Sequence, residues 1–161
     1  MPAVQLLPID EDVLDRLVDA ATSDAAPDEV TPPMAGGAWG PERIEWLRSF
    51  HRDRRAGLDG PYGEATWAIA LDGTVVGAVR LKRTNEPGVL ETGIWLTRSA
   101  RGHGTGRTVV GVVLQRAREL EAREVRADTS PDNAAALPVL QRLGFRTSPA
   151  GTRVVAVRTL G

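Results

Sequence analysis

The residues that invite a chemical reading lie in one short run, Arg101-Gly102-His103-Gly104-Thr105-Gly106-Arg107. Three glycines in five positions let a backbone turn tightly and leave its peptide N–H groups open to an approaching ligand. The hydrophobic spacing that follows predicts a helix over Arg107–Ala122. A helix start adds unpaired N–H donors and the positive end of its dipole. Donors of this kind suit a phosphate or pyrophosphate, with Arg101, His103 and Arg107 adding charge. The other reading of the same residues is a glycine-rich turn that binds nothing. A nucleoside-triphosphate loop is strongly disfavoured, because it needs Gly-Lys-Ser/Thr and Lys82 is the only lysine. The dinucleotide fingerprint fits poorly. Its last glycine falls on Arg107, and the lead-in Thr97–Arg101 is too long; Asp128 is the one feature in its favour.

Several elements must hold that run in place. Residues 9–21 read as a helix capped by Asp10, with Val13, Leu14, Leu17, Val18 and Ala21 at helical spacing. Residues 22–40 are rich in proline and glycine and read as a loop. A second helix has Pro41 at its first position and Gly57 past its end, with Ile44, Leu47 and Phe50 on one face. From residue 65 the period becomes that of a strand: Trp67, Ile69 and Leu71 alternate up to Asp72-Gly73, a hairpin signal. Val75–Leu81 returns, Asn85–Gly88 turns again, and Val89–Leu96 is the third strand of an antiparallel meander. Val125–Thr129 follows the glycine-loop helix and is expected to lie parallel to Val89–Leu96 through a right-handed crossover. Ser130-Pro131-Asp132-Asn133 opens another helix to Leu143, closed by Gly144, and Val154–Arg158 is the final strand. An exposed final strand would allow pairing between subunits, so a homodimer is possible. Arg126, Asp128 and the 146–153 segment are either structural or in contact with ligand. The fold class expected is α+β: a mixed, mostly antiparallel central sheet with helices on both faces, in a single domain over residues 1–161.

Composition narrows the function classes. The chain has 161 residues, the length of one ordinary domain of roughly 100–200 residues. Hydrophobic residues make up 42% and charged residues 25%, which argues against disorder. A net charge of −1 is too balanced for an electrostatic binder of nucleic acid or membrane. Cysteine is absent, which removes disulfides, thiolate metal sites and cysteine nucleophiles. With only His51 and His103, a histidine metal site is not expected either. The expectation is a cytoplasmic protein that takes no metal.

Arg101-x-x-Gly104-x-Gly106 resembles the acyl-coenzyme A pyrophosphate loop of the GNAT superfamily of N-acetyltransferases. Glu91-Thr92-Gly93-Ile94-Trp95-Leu96 is similar to the corresponding strand of its ribosomal-protein N-terminal acetyltransferase-like branch. Asn133-Ala134-Ala135-Ala136-Leu137 and Leu143-Gly144-Phe145 resemble the superfamily's asparagine helix and its Gly-Phe exit. The resemblance spans about residues 66–146, and it implies a donor-binding core over about 89–145.

What it implies for the site can be stated residue by residue. Acetyl-coenzyme A would be the donor, its pyrophosphate held by backbone N–H groups of Gly102, His103, Gly104, Thr105, Gly106 and Arg107, with Arg101 beside them. Ile94, Trp95 and Leu96 would pair with the pantetheine arm. Glu91 is the candidate base for the acceptor ammonium; its other reading is an exposed strand carboxylate with no role. Asn133 would contact the pantetheine or assist the departing thiolate, or it is simply a helix cap. Many members carry a tyrosine where this chain has Leu140, which cannot donate a proton, and Tyr62 is the only tyrosine. Trp39, Trp46 and Trp67 either line an acceptor pocket or belong to the core. His51, among Arg52, Arg54 and Arg55, reads as part of a solvated face. The implied reaction is acetyl transfer to a primary amine of a protein N-terminus or small molecule. The alternative is a catalytically silent domain that binds or senses acyl-coenzyme A.

Overall fold

The computed structural model describes residues 3–129 and 136–161, with the side chain of Thr129 left aside. Seven strands form one sheet in the order β1-β2-β3-β4-β5-β7-β6. They are β1 (Val4–Pro8), β2 (Glu64–Leu71), β3 (Thr74–Arg83), β4 (Val89–Leu96), β5 (Glu124–Thr129), β6 (Arg146–Ala150) and β7 (Arg153–Thr159). Every neighbouring pair is antiparallel except β4 and β5. The α+β expectation and the meander hold. Asp72 and Gly73 both take positive φ, 49° and 86°, which matches the twist that a two-residue hairpin demands.

Helices α1 (Glu11–Asp24), α2 (Pro27–Val30) and α3 (Pro41–Asp53) precede the meander; α4 (Thr105–Glu119) and α5 (Ala136–Arg142) follow it. The Asp10 carboxylate accepts from the Val13 N–H at 2.8 Å and so caps α1, satisfying a donor that the first turn leaves free. Two apolar layers result. Leu14, Leu17, Val18 and Leu47 from α1 and α3 pack with Ala68 and Ala78 on one sheet face. Val109, Val113, Leu114 and Ala117 of α4 pack with Ile69, Leu81, Leu90 and Val125 on the other. Alternation along β4 therefore points Leu90 toward α4, and Glu91, Gly93 and Trp95 toward α1 and α3. Among the described residues no helix is long and apolar enough to cross a membrane.

Two expectations need correction, and two segments that the sequence left open are now defined. The segment 22–40 is not all loop: α1 runs on to Asp24, and α2 forms over Pro27–Val30. Val4–Pro8 is a strand that the sequence did not signal, since its own alternation is short; pairing to β2 makes it one. The segment 146–153 is mostly the sixth strand. Consequently the last strand is not an exposed edge, because β7 lies between β5 and β6, and pairing between subunits through β7 is ruled out. The expected helix over 130–143 is seen from Ala136 onward, and Asn133 lies outside the described residues.

Candidate functional site

The sheet comes apart at one place. β4 stays paired with β3 as far as Leu96, but its parallel pairing with β5 ends at Thr92–Ala127. β5 instead continues against β7 as far as Thr129. Among the described residues the β5-facing edge of β4 from Gly93 to Leu96 thus has no strand partner, and its backbone donors and acceptors line a wedge between the two strands.

The glycine run stands at the end of that wedge. Gly102 and Gly104 take φ of 80° and 81°, a left-handed conformation that glycine adopts without the cost a side chain imposes. A Cβ at either would meet nothing within 4 Å, so conformation rather than crowding selects glycine there. α4 starts at Thr105, one residue earlier than the last glycine and two before the start expected from its spacing. Its first turn approaches β4: a Cβ on Gly106 would lie 3.8 Å from Leu96 Cδ1. The first backbone bond into the helix is Thr108 N–H to Gly104 O. The six N–H groups from Gly102 to Arg107 have no acceptor among the described residues. Six adjacent free donors at a helix start form a cradle for an anion. His103 and Arg107 are exposed beside them, while Thr105 is buried.

The Arg101 guanidinium is engaged by its own neighbours. Its Nε and Nη2 donate to Leu96 O at 3.1 and 2.9 Å, and Nη2 pairs with Glu29 at 2.7 Å. The donor loop is thereby braced against α2. Burial pushes the Glu29 carboxyl up, but the Ala26 N–H and the Arg101 guanidinium outweigh it and hold it below its usual range. Asp24, at the end of α1, accepts from both Oγ and N–H of Ser99, which lowers its pKa. Arg43 of α3, only 3% exposed, ties the intervening segment through Thr31 Oγ1, Met34 O and Gly36 O.

Glu91 sits one residue before β4 parts from β5, on the face opposite α4. Arg80 Nη2 donates to Glu91 Oε1 at 3.0 Å, and Arg80 Nη1 donates to Glu64 Oε2 at 3.2 Å. Glu64, whose side chain is 4% exposed, also accepts from Arg54 Nε at 2.6 Å. The charged neighbour of Glu91 is therefore a guanidinium. His51 is another correction. It is 3% exposed, with Nδ1 3.0 Å from Thr66 Oγ1. Desolvation, helped by the nearby Arg54 charge, lowers its pKa to about 4. The Arg52 and Arg55 side chains turn outward to Glu11 while Arg54 reaches the buried Glu64, so an arginine-rich stretch conceals an inward imidazole. A cavity of about 440 Å³ beside His51, Thr66 and Trp67 includes none of the glycine-loop residues.

Among the other aromatic residues, Trp39 Nε1 donates to Ala25 O at 2.9 Å. Trp46 stacks on Phe50 at 4.9 Å, and Trp67 lies under the Arg116 guanidinium at 4.9 Å. Trp39 and Trp46 pack against the α1–α3 layer and Trp67 against the α4 layer, where it also lines the cavity beside His51. Leu140 is buried in the α4 layer. Arg126 pairs with Glu124 and Glu86, and Asp128 with Arg153. The residues that the sequence left unsignalled are Arg80, Glu64 and Arg43, each a charged residue inside an otherwise ordinary strand or helix pattern.

Comparison with known proteins adds the following. The family described as "Acetyltransferase (GNAT) domain" matches residues 5–146. No curated protein sequence matches the chain. Among solved structures it is similar to Mycobacterium smegmatis RimJ in complex with CoA-disulfide. The TM-score is 0.78 and the identity 20%, over 97% of this chain and 81% of that one. It is also similar to the PaiA N-acetyltransferase from Thermoplasma acidophilum in complex with coenzyme A. There the TM-score is 0.70 at 15% identity, covering 98% and 99% of the two chains. A GCN5-related N-acetyltransferase from Kribbella flavida gives 0.70 at 20% identity, over 98% of each chain.

Proposed function

The chain belongs to the acetyltransferase (GNAT) domain family, and from that premise we propose how its own residues perform the transfer and on what. It is an acetyl-coenzyme A-dependent N-acetyltransferase. The acceptor we propose is a primary amine, on a protein N-terminus or a small molecule, presented from the α1–α3 face of the sheet. The run Glu91–Leu96 and the likeness to RimJ support the ribosomal-protein N-terminal acetyltransferase-like branch. Balanced charge and the absence of cysteine support a cytoplasmic setting.

One observation carries this reading: the wedge between β4 and β5 opens between six N–H donors with no acceptor among the described residues at one end and Glu91 at the other. Acetyl-coenzyme A supplies an acyl thioester and a pyrophosphate. The N–H groups of Gly102 to Arg107 bind the pyrophosphate, and the edge of Ile94, Trp95 and Leu96 that β5 leaves unpaired aligns the amide-bearing arm. A β4 N–H polarises the thioester carbonyl, a contact typically worth about 2.7–4 kcal/mol of barrier. Glu91 takes one proton from the acceptor ammonium. The freed amine forms the C–N bond as the C–S bond breaks, and the second proton lost by nitrogen is the one the sulfur gains. Leu140 holds no proton to contribute. Asn133 is proposed as a partner for the pantetheine arm or the leaving sulfur.

Thermal unfolding with acetyl-coenzyme A, coenzyme A and NAD in parallel tests the donor site. Both coenzyme A forms should stabilise the protein, by about 2.7 kcal/mol at 100 times the dissociation constant, and NAD should not. Gly104→Val should abolish the shift, because a β-branched residue resists φ of 81°. No shift with either coenzyme A form in the parent protein would overturn the loop assignment. Thiol release with a panel of N-terminal peptides, spermine and an aminoglycoside then sorts the acceptors. Glu91→Gln should slow the best of them by about 10²-fold or more with donor stabilisation intact; unchanged turnover would remove Glu91 as the base.

A further inference from the structure

The Arg80 guanidinium occupies a place that only a glycine neighbour allows. Arg80 and Gly93 are directly paired in the β3–β4 register, and a Cβ on Gly93 would lie 2.9 Å from Arg80 Nε and 3.3 Å from both Cζ and Nη2. The side chain therefore passes over Gly93 to reach Glu91 on the same strand. Its other arm is anchored by Glu64, and Glu64 is itself held by Arg54, the residue that follows α3. Arg54 lies against two rings, 3.8 Å from the Phe50 centroid and 4.4 Å from that of Tyr62. A line of alternating charges thus runs from the end of α3 across β2 and β3 and ends at Glu91. Only Glu91 Oε1 is engaged; Oε2 has no donor among the described residues.

We propose that Arg80, clamped by Glu64 and admitted by Gly93, is a positioning residue that fixes Glu91 Oε1 and leaves Oε2 aimed for the acceptor ammonium. This rests on the reading of Glu91 as the base. A two-pronged guanidinium suits the task, since it holds two carboxylates in one plane, whereas an ammonium engages them as a point charge. Gly93 also gives the conserved-charge test that a simple deletion lacks: Gly93→Ala displaces the guanidinium and removes no ionic group.

Arg80→Lys and Gly93→Ala should each lower kcat by between about tenfold and 10²-fold for the most active amine of the panel above. Their KM for that amine and their stabilisation by coenzyme A should stay near the parent values. Combined with Glu91→Gln, Gly93→Ala should cost no further rate, because residues acting through one group are not additive. Rescue by lysine, or losses that multiply in the double variant, would overturn the proposal. A separate arm needs no acceptor. In ¹⁵N spectra of the parent protein the two Nη groups of Arg80 should give distinct signals, held apart by their two carboxylates, and merge in Glu91→Gln. Merged signals in the parent would overturn the clamp. Distinct signals together with full turnover in Glu91→Gln would instead sink the base reading and leave the clamp standing.

Discussion

His51 is buried against Thr66 while its unfolded counterpart is free in water, and that difference has a pH signature. Desolvation first, and the Arg54 charge second, lower its pKa from 6.5 to about 4. Above pH 6.5 the imidazole is neutral in both states. As pH falls from 6.5 toward 4 the unfolded chain takes up a proton that the folded one refuses, so stability drops through that window, by about 3 kcal/mol in all. Glu11, held at about 2 by Arg52 and then Arg55, acts lower: its contribution is present above 4.5 and lost as pH falls toward 2. Urea unfolding at pH 7, 5.5 and 4 separates the two. The parent should weaken over this range, and His51→Gln, which keeps a hydrogen-bonding partner for Thr66, should weaken less; equal losses would show that another group titrates.

At the scale of elements, the segment between α1 and α3 is ordered by one residue rather than by its own sequence. Arg43 reaches Thr31, Met34 and Gly36 and pairs with Asp28 at 3.0 Å. Arg43→Met should leave those acceptors short of donors, costing about 1–3 kcal/mol, and make residues 31–37 the preferred site of protease cleavage. Cleavage there at the parent rate would mean that α2 holds the segment unaided. Such tertiary ties explain what the sequence hid. Strong periodicity and punctuation exposed α1, α3, α4 and the meander, because Asp10, Pro41 and Asp72-Gly73 act locally. Strands β1 and β6 are short, and their pairing comes from distant partners. The link from Arg80 to Glu64 was hidden by the irregularity between Ile69 and Ala70. Counting back from the Asp72-Gly73 turn without it sets Arg80 opposite Ala65, on the wrong face, instead of opposite Thr66. Glu91 and the glycine loop were legible because each lies within a local pattern; the wedge between them was not, since it is a failure of pairing.

Across the whole molecule the sheet is two antiparallel halves, β1–β4 and β5–β7, joined by four residue pairs from Val89–Glu124 to Thr92–Ala127. The α1 layer rests on the first half alone, on Ala68, Val75 and Ala78, whereas the α4 layer spans the joint and packs Ile69, Leu81 and Leu90 of the first half with Val125, Ala127 and Ala156 of the second. A ligand seated in the wedge touches the last residues of β4 and the start of α4, and so ties together elements that the sheet itself joins only briefly. Fraying of that joint at its wedge end, short of lifting α4 off both halves, exposes fewer buried groups than global unfolding, and such partial openings govern exchange of the amides beside them. Hydrogen exchange with and without coenzyme A should therefore show a local pattern. Amides from Gly102 to Arg107 and from Gly93 to Leu96 slow most, those of β5 near Ala127 slow next, and the outer strands β1 and β6 keep their rates in conditions where local fraying dominates. Equal protection over all seven strands would mean that the ligand stabilises only the globally folded state, and that the joint between the halves does not open on its own.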